Sequence, residues 1–197
     1  MMKRMFFGWM TGTAVLCALV LFSNVASAAE FSADIIQKQV GVTTKGKVYI
    51  KGNKMRMEME TPAGKSVNLM DTETGLMQML HPAQKMYFEM QAPETGVVQT
   101  DEALAKIADK KPVGTEKVNG HKCDKYKIIY HDRSLGKTTQ WFSKRLNYPI
   151  KTVYEGPHGE MVMEFKNIKE GKLDSSLFKI PSDYHQMKMP GMGRPSY

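Results

Sequence analysis

The chain has 197 residues, 28 of them Lys or Arg and 20 Asp or Glu, for a formal net charge of +8. That length suits one domain with a sizeable core. No basic run reaches five residues and aromatics do not interleave with the cations, which argues against a nucleic-acid platform. Of two cysteines one sits in the N-terminal leader, so no intrachain disulfide is expected to hold the fold.

The leader comes first. Lys3 and Arg4 precede an apolar run from about Thr13 to Phe22, and Ala26-Ser27-Ala28 has the small-x-small spacing of a signal-peptidase site. The run is shorter than the roughly 18–20 residues a membrane span needs. Residues 1–28 therefore read as a cleaved export signal, cut near Ala28-Ala29. Leu16 stands before Cys17 where a lipid-attachment cysteine wants a small residue. Losing Lys3 and Arg4 lowers the net charge to +6, a surplus that fits a solvated surface or contact with anionic headgroups or an acidic partner.

Beyond the leader, short alternating runs separated by turn residues predict an antiparallel sheet. FSADIIQKQ (31–39) reads as a strand or an N-terminal helix. GKVYIKG (46–52) puts Val48 and Ile50 on one face, and Gly52-Asn53 is a two-residue hairpin signal. KMRMEME (54–60) returns, with Arg56, Glu58 and Glu60 expected on a solvated face. Thr61-Pro62-Ala63-Gly64 turns the chain into SVNLMD, where Val67 and Leu69 share a side. LMQML (76–80), a His81-Pro82 turn and KMYFEM (85–90) follow, the last with Met86, Phe88 and Met90 on one side.

One segment breaks the period. Thr100 can cap a helix over DEALAKIADK (101–110), which Pro112 would end. Strands resume at HKCDKYKIIY (121–130), KTTQWFS (137–143), PIKTVYE (149–155) and EMVMEFKNI (160–168), with Cys123 expected as a buried thiol. DSSLF (174–178) resembles a short helical turn, and 186–197 reads as a mobile tail after a single domain over 29–185. The expectation is a mainly β protein of about ten strands with a helix between the sixth and seventh. So large a sheet closes, splits or curls around something that covers its apolar face. One helix covers ten strands poorly, which points to a cavity.

Thirteen methionines follow the leader, many at alternate positions. Core packing, the wall of an adaptable cavity and a soft-metal site all fit that pattern. Alternate residues of one strand stand about 6–7 Å apart, too far for Met55, Met57 and Met59 to share one ion. The metal reading therefore looks to His185, Met187, Met189 and Met192 in the tail, and the alternative it gives is a periplasmic copper-binding or envelope-stress-sensing protein that uses Met/His residues of the tail or the sheet edge. The chain carries neither HExxH, GxSxG nor a glycine-rich phosphate loop, so a non-enzymatic protein without a cofactor is expected.

Two stretches carry a family likeness. Residues 46–90 contain Arg56, Pro62, Asp71 and Pro82, and residues 161–184 contain Asn167, Gly171, Asp174, Leu177, Phe178, Pro181 and Tyr184. In these positions the chain resembles the periplasmic LolA/LolB-type lipoprotein carrier superfamily. The resemblance implies a curved antiparallel half-barrel of about 10–11 strands, with one or two helices on its concave face and an apolar cavity for acyl chains. It implies a monomer in the periplasm whose partners are lipid or lipoprotein acyl chains and the lipoprotein machinery of the inner or outer membrane. The expected cavity wall is Val48, Ile50, Met55, Met57, Met59, Val67, Leu69, Met86, Phe88, Met90, Met161, Met163 and Phe165.

Overall fold

A computed structural model describes residues 29–61, 64–91 and 101–187. The leader, Pro62-Ala63, Thr100 and the tail from 188 lie outside the described residues, and with them the expected cleavage site and the expected helix cap. The described chain forms one open sheet of 12 strands. The strands are β1 (Glu30–Gln39), β2 (Val42–Lys51), β3 (Lys54–Thr61), β4 (Gly64–Asp71), β5 (Leu76–His81) and β6 (Met86–Gln91), then β7 (Ala108–Val118), β8 (His121–Tyr130), β9 (Lys137–Ser143), β10 (Tyr148–Gly156), β11 (Gly159–Glu170) and β12 (His185–Gln186). The one α-helix among the described residues, α1 (Asp101–Ile107), connects β6 to β7. No described helix is long and apolar enough to cross a membrane.

The order across the sheet is β12-β6-β5-β4-β3-β2-β1-β11-β10-β9-β8-β7. Two meanders, β1 to β6 and β7 to β11, therefore meet where β1 pairs with β11. All neighbours are antiparallel except β12, which runs parallel to β6. This is the expected curved half-barrel, with one or two strands more than the expected 10–11. Residues 31–39 lie in a strand, not a helix, and their alternation explains it: Phe31, Ala33 and Ile35 are buried while their neighbours are only partly so.

The helix is shorter than the sequence pattern suggests. It stops at Ile107, and Ala108–Val118 forms β7, which the helical reading of 101–110 and the gap to 121 had hidden. β7 is the edge of the sheet, so Pro112 can occupy it without breaking an inner ladder, and the register shifts between Pro112 and Gly114. A helix of seven residues is marginal alone. It is held by Leu104 and Ile107, which pack on Ala108, Ile128 and Tyr130, and by the His131 amide donating to the Ile107 carbonyl at 2.8 Å.

The main core lies where the two meanders meet. Phe31, Phe165 and Tyr148 form an aromatic group with centroids 5.7 to 6.3 Å apart. Val48, Ile50, Ile35 and Ile150 fill in around it. Burying each such side chain is worth roughly 1.5–3 kcal/mol. A second, smaller core sits across β4 and β5: Val67, Leu69 and Leu80 beneath Tyr87, Ile180 and Tyr184. The last two belong to the C-terminal segment, whose helical turn Ser175–Phe178 is capped by the Asp174 carboxylate accepting from the Ser176 amide at 2.8 Å.

Candidate functional site

Cross-strand partners share a face of a sheet, so the register sorts every strand residue. On the inner face Met55 stands opposite Ile50 and Met70, and Met57 opposite Val48 and Asn68. Phe165 stands opposite Ile35, and Met163 opposite Gln37 and Thr152. From there the face runs through Gln140 and Thr138 to Tyr126 and Ile128. Helix α1 lies against the far end of this face, through Leu104 and Ile107.

Between the helix and the sheet is a cavity of about 520 Å³. One wall is thioether and aromatic: Met55, Met57 and Met70 from β3 and β4, and Met161, Met163 and Phe165 from β11. The other wall is mixed, with Tyr126, Ile128, Tyr130, Gln140 and Phe142 from β8 and β9, Lys110 from β7, and Leu104 and Asp101 from α1. Tyr148 joins the walls, its hydroxyl donating to the Met55 sulfur at 3.7 Å. Burial pushes the Tyr148 phenol well above the usual tyrosine range. Unbranched thioethers along one side give a surface that repacks around guests of varied shape.

Five of the thirteen expected wall residues line this cavity: Met55, Met57, Met161, Met163 and Phe165. Val48, Ile50 and Met59 share their face but are buried in the core beneath it. Met86, Phe88 and Met90 continue the inner face onto β6, where Phe88 and Met90 pair with Met79 and Met77, without lining the cavity.

Val67 and Leu69 are corrections. Val67 pairs with Glu58 and Leu69 with Arg56, so both point to the outer face, under the C-terminal segment. The same cover half-buries Arg56 and Glu58, which pair at 2.7 Å and are not on a solvated face. Burial raises the Glu58 carboxyl, but hydrogen bonds and charge from Lys65 and Arg56 outweigh it and hold the group below its ordinary range.

Lys110, Asp101, Leu104, Gln140, the two tyrosines of the mixed wall and Tyr148 went unnoticed in the sequence. Alternation within HKCDKYKIIY and KTTQWFS does place Tyr126, Ile128, Tyr130, Thr138, Gln140 and Phe142 on one face. Nothing in the chain's local pattern shows that this face turns toward the methionines of β3 and β11.

The remaining candidates stand apart from the cavity lining. Cys123 is fully buried, and desolvation pushes its thiol up, away from the reactive thiolate. Among the described residues no group of three His, Cys, Asp or Glu could hold a metal ion. His185 sits in β12 opposite Met86, and the exposed Met187 donates its amide to the Tyr87 carbonyl at 2.8 Å. Met189 and Met192 lie outside the described residues.

The open, almost wholly antiparallel sheet, with one helix and a cavity on its inner face, is a fold that the chain shares with solved structures of low sequence identity. The chain belongs to the DUF4412 family, a domain of unknown function, which it matches over residues 34–147 and 131–184. No curated protein matches it. Among solved structures it is similar to an uncharacterized conserved protein from Thermus thermophilus, at 10% identity over 81% of this chain and 90% of that one, with a TM-score of 0.57. It is also similar to MucB of Pseudomonas aeruginosa, solved in complex with MucA, at 12% identity over 81% of this chain and a TM-score of 0.53. The chain spans only 58% of that MucB chain. A LolA superfamily protein from Nitrosomonas europaea matches at 11% identity over 77% of this chain and 90% of its own, with a TM-score of 0.40.

Proposed function

We propose that the chain is a non-enzymatic periplasmic protein that binds acyl chains of a lipid or lipoprotein in the half-barrel cavity, for transfer toward the outer membrane. One observation carries the reading: the cavity keeps about 520 Å³ open next to a wall of flexible methionines, although a protein of this size would gain stability by filling it. That volume lies in the range of small-molecule sites, about 300–1,000 Å³. Each methylene moved out of water is worth roughly 0.8 kcal/mol, so a tail of a dozen carbons has ample reason to enter. No chemistry on the guest is needed, since the work is shielding the tail from water.

The test is native mass spectrometry on the chain exported by a bacterium and purified without detergent. Adducts with masses of phospholipid, fatty acid or acylated peptide are the expected result. A bare protein mass, combined with failure to take up added fatty acid, would sink the reading.

A further inference from the structure

The cavity has one sheltered charge. Lys110 and Asp101 are the only charged side chains among its described lining residues. They pair with each other, Nζ to Oδ1 at 2.8 Å, but their settings differ. The lysine side chain is 25% exposed, against 78% for the aspartate at the start of α1. The Lys110 ammonium sits 4.6 Å from the centroid of the Tyr126 ring and 5.8 Å from that of Phe142, both cavity-lining residues. Gln140, the register partner of Tyr126, adds a neutral amide to the same wall. The opposite wall holds Met55, Met57, Met163 and Phe165 and no charge. One end of the cavity is therefore cationic and the other apolar.

We propose that Lys110 makes the cavity selective for amphiphiles with an anionic head, a carboxylate or a phosphate, with Asp101 as the internal anion that the guest's head displaces. The inference rests on the acyl-chain reading and names the class of guest. A cation already stripped of much of its water and cradled by two rings loses little by exchanging one carboxylate for another. The aspartate loses little too, because it returns to water and an exposed ion pair is worth about 1 kcal/mol or less. The guest's tail then lies along the methionine wall while its head stays at the helix end. Exchange at Lys110 also unties the start of α1 from β7, so arrival of the head loosens the element that covers the tail.

The experiment uses the mature chain and three twelve-carbon guests, dodecanoate, dodecyl phosphate and dodecan-1-ol. Each competes at pH 8 with the uncharged fluorophore N-phenyl-1-naphthylamine. The anions are expected to bind about tenfold more tightly than the alcohol, the size of one charge-assisted contact at a partly wet site. Lys110→Met, which keeps an unbranched chain over Tyr126 and Phe142, should erase that preference by bringing both anions to the affinity of the alcohol. Asp101→Asn should tighten both anions several-fold and not the alcohol. The tighter of the two anions identifies the head, carboxylate for a fatty acid and phosphate for a phospholipid.

Equal binding of acid and alcohol by the unaltered chain would overturn the proposal and leave the acyl-chain reading standing, as would a full preference surviving in Lys110→Met. Binding of neither fluorophore nor alcohol would sink the acyl-chain reading and this inference with it. Cooperative thermal unfolding identifies a variant that fails to fold, and Lys110→Gln then replaces Lys110→Met.

Discussion

Arg56 Nη1 donates to the carbonyl oxygen of Leu177 at 3.0 Å, fastening the C-terminal segment to the outer face of β3 across 121 positions of sequence. The same guanidinium pairs with Glu58 at 2.7 Å, and Lys65 reaches Glu58 from β4 at 2.8 Å. Arg56→Met should destabilise the fold by about 2–3 kcal/mol, because it removes a charged donor and leaves a half-buried carboxylate with one partner. Urea denaturation measures this. A loss under about 0.5 kcal/mol would mean that the segment's other contacts, among them Ile180, Tyr184 and the Lys85–Asp183 pair, hold it without Arg56.

Glu58 gives that network a pH dependence. Its folded pKa lies below its ordinary value of 4.5, so the unfolded chain takes up the proton first as pH falls. The stabilisation is present above that value and is lost as pH drops through the lowered folded pKa. Glu58→Gln should flatten the stability curve between about pH 5 and 3 relative to the unaltered chain. An unchanged slope there would assign the acid loss to other carboxylates.

Tyr148 acts at the other end of the scale. Its phenol is pushed up by burial, so above pH ~10 the unfolded chain releases that proton while the folded chain keeps it. The unfolded state then binds fewer protons, and stability falls as pH rises, by at most about 1.4 kcal/mol per unit from this group. Tyr148→Phe loses only a long O–H to sulfur contact and should fold with nearly unchanged stability at pH 7. Its alkaline decline should be shallower than that of the unaltered chain. Parallel declines in paired melts at pH 7 and pH 10.5 would contradict this.

Strand limits were the most legible part of the sequence. β8 and β9 run over the residues that alternation marks out, because each is bounded by turn chemistry, as at Asn119-Gly120 and Gly136. Faces were less legible. Period 2 separates Val67 and Leu69 from Asn68 and Met70, but it does not say which set turns inward when both are covered. Here the C-terminal segment supplies an outer core, so apolar residues point both ways along β4. β7 was hidden for another reason. ALAKIADK carries helical periodicity past the true end at Ile107, and an edge strand with mostly exposed residues and a proline shows little alternation. The cavity's mixed wall depends on curvature across the nine strands from β4 to β7, which no local pattern encodes.

Val40 is a residue at odds with its backbone. It sits at the β1–β2 turn with φ at 42° and is 70% exposed. A β-branched side chain in the left-handed region costs roughly 1–2 kcal/mol, and here almost no burial offsets it. Val40→Asn should therefore stabilise the chain by about 1 kcal/mol, read from the shift in urea midpoint at constant slope. Unchanged or reduced stability would show that the valine side chain makes contacts worth more than the strain. That result would direct attention to Gly159 of the neighbouring turn, where a Cβ would stand 3.3 Å from Val40 Cγ2.

The cavity itself is tested by filling it. Met163 lies on the methionine wall, opposite Thr152 and Gln37 in register, with open space before it. Met163→Trp places a rigid indole where a guest's tail would lie. Overpacking a filled core usually costs about 1–3 kcal/mol, whereas filling a void costs little and can stabilise. The variant should unfold at or above the temperature of the unaltered chain, and its capacity for N-phenyl-1-naphthylamine should fall at least fivefold. The two readouts separate the possibilities: a core already closed in solution would show the cost without a binding change. An open cavity that takes no apolar guest would show the gain in stability with no probe binding in either protein. Only an open, ligand-binding cavity predicts stability kept and capacity lost together.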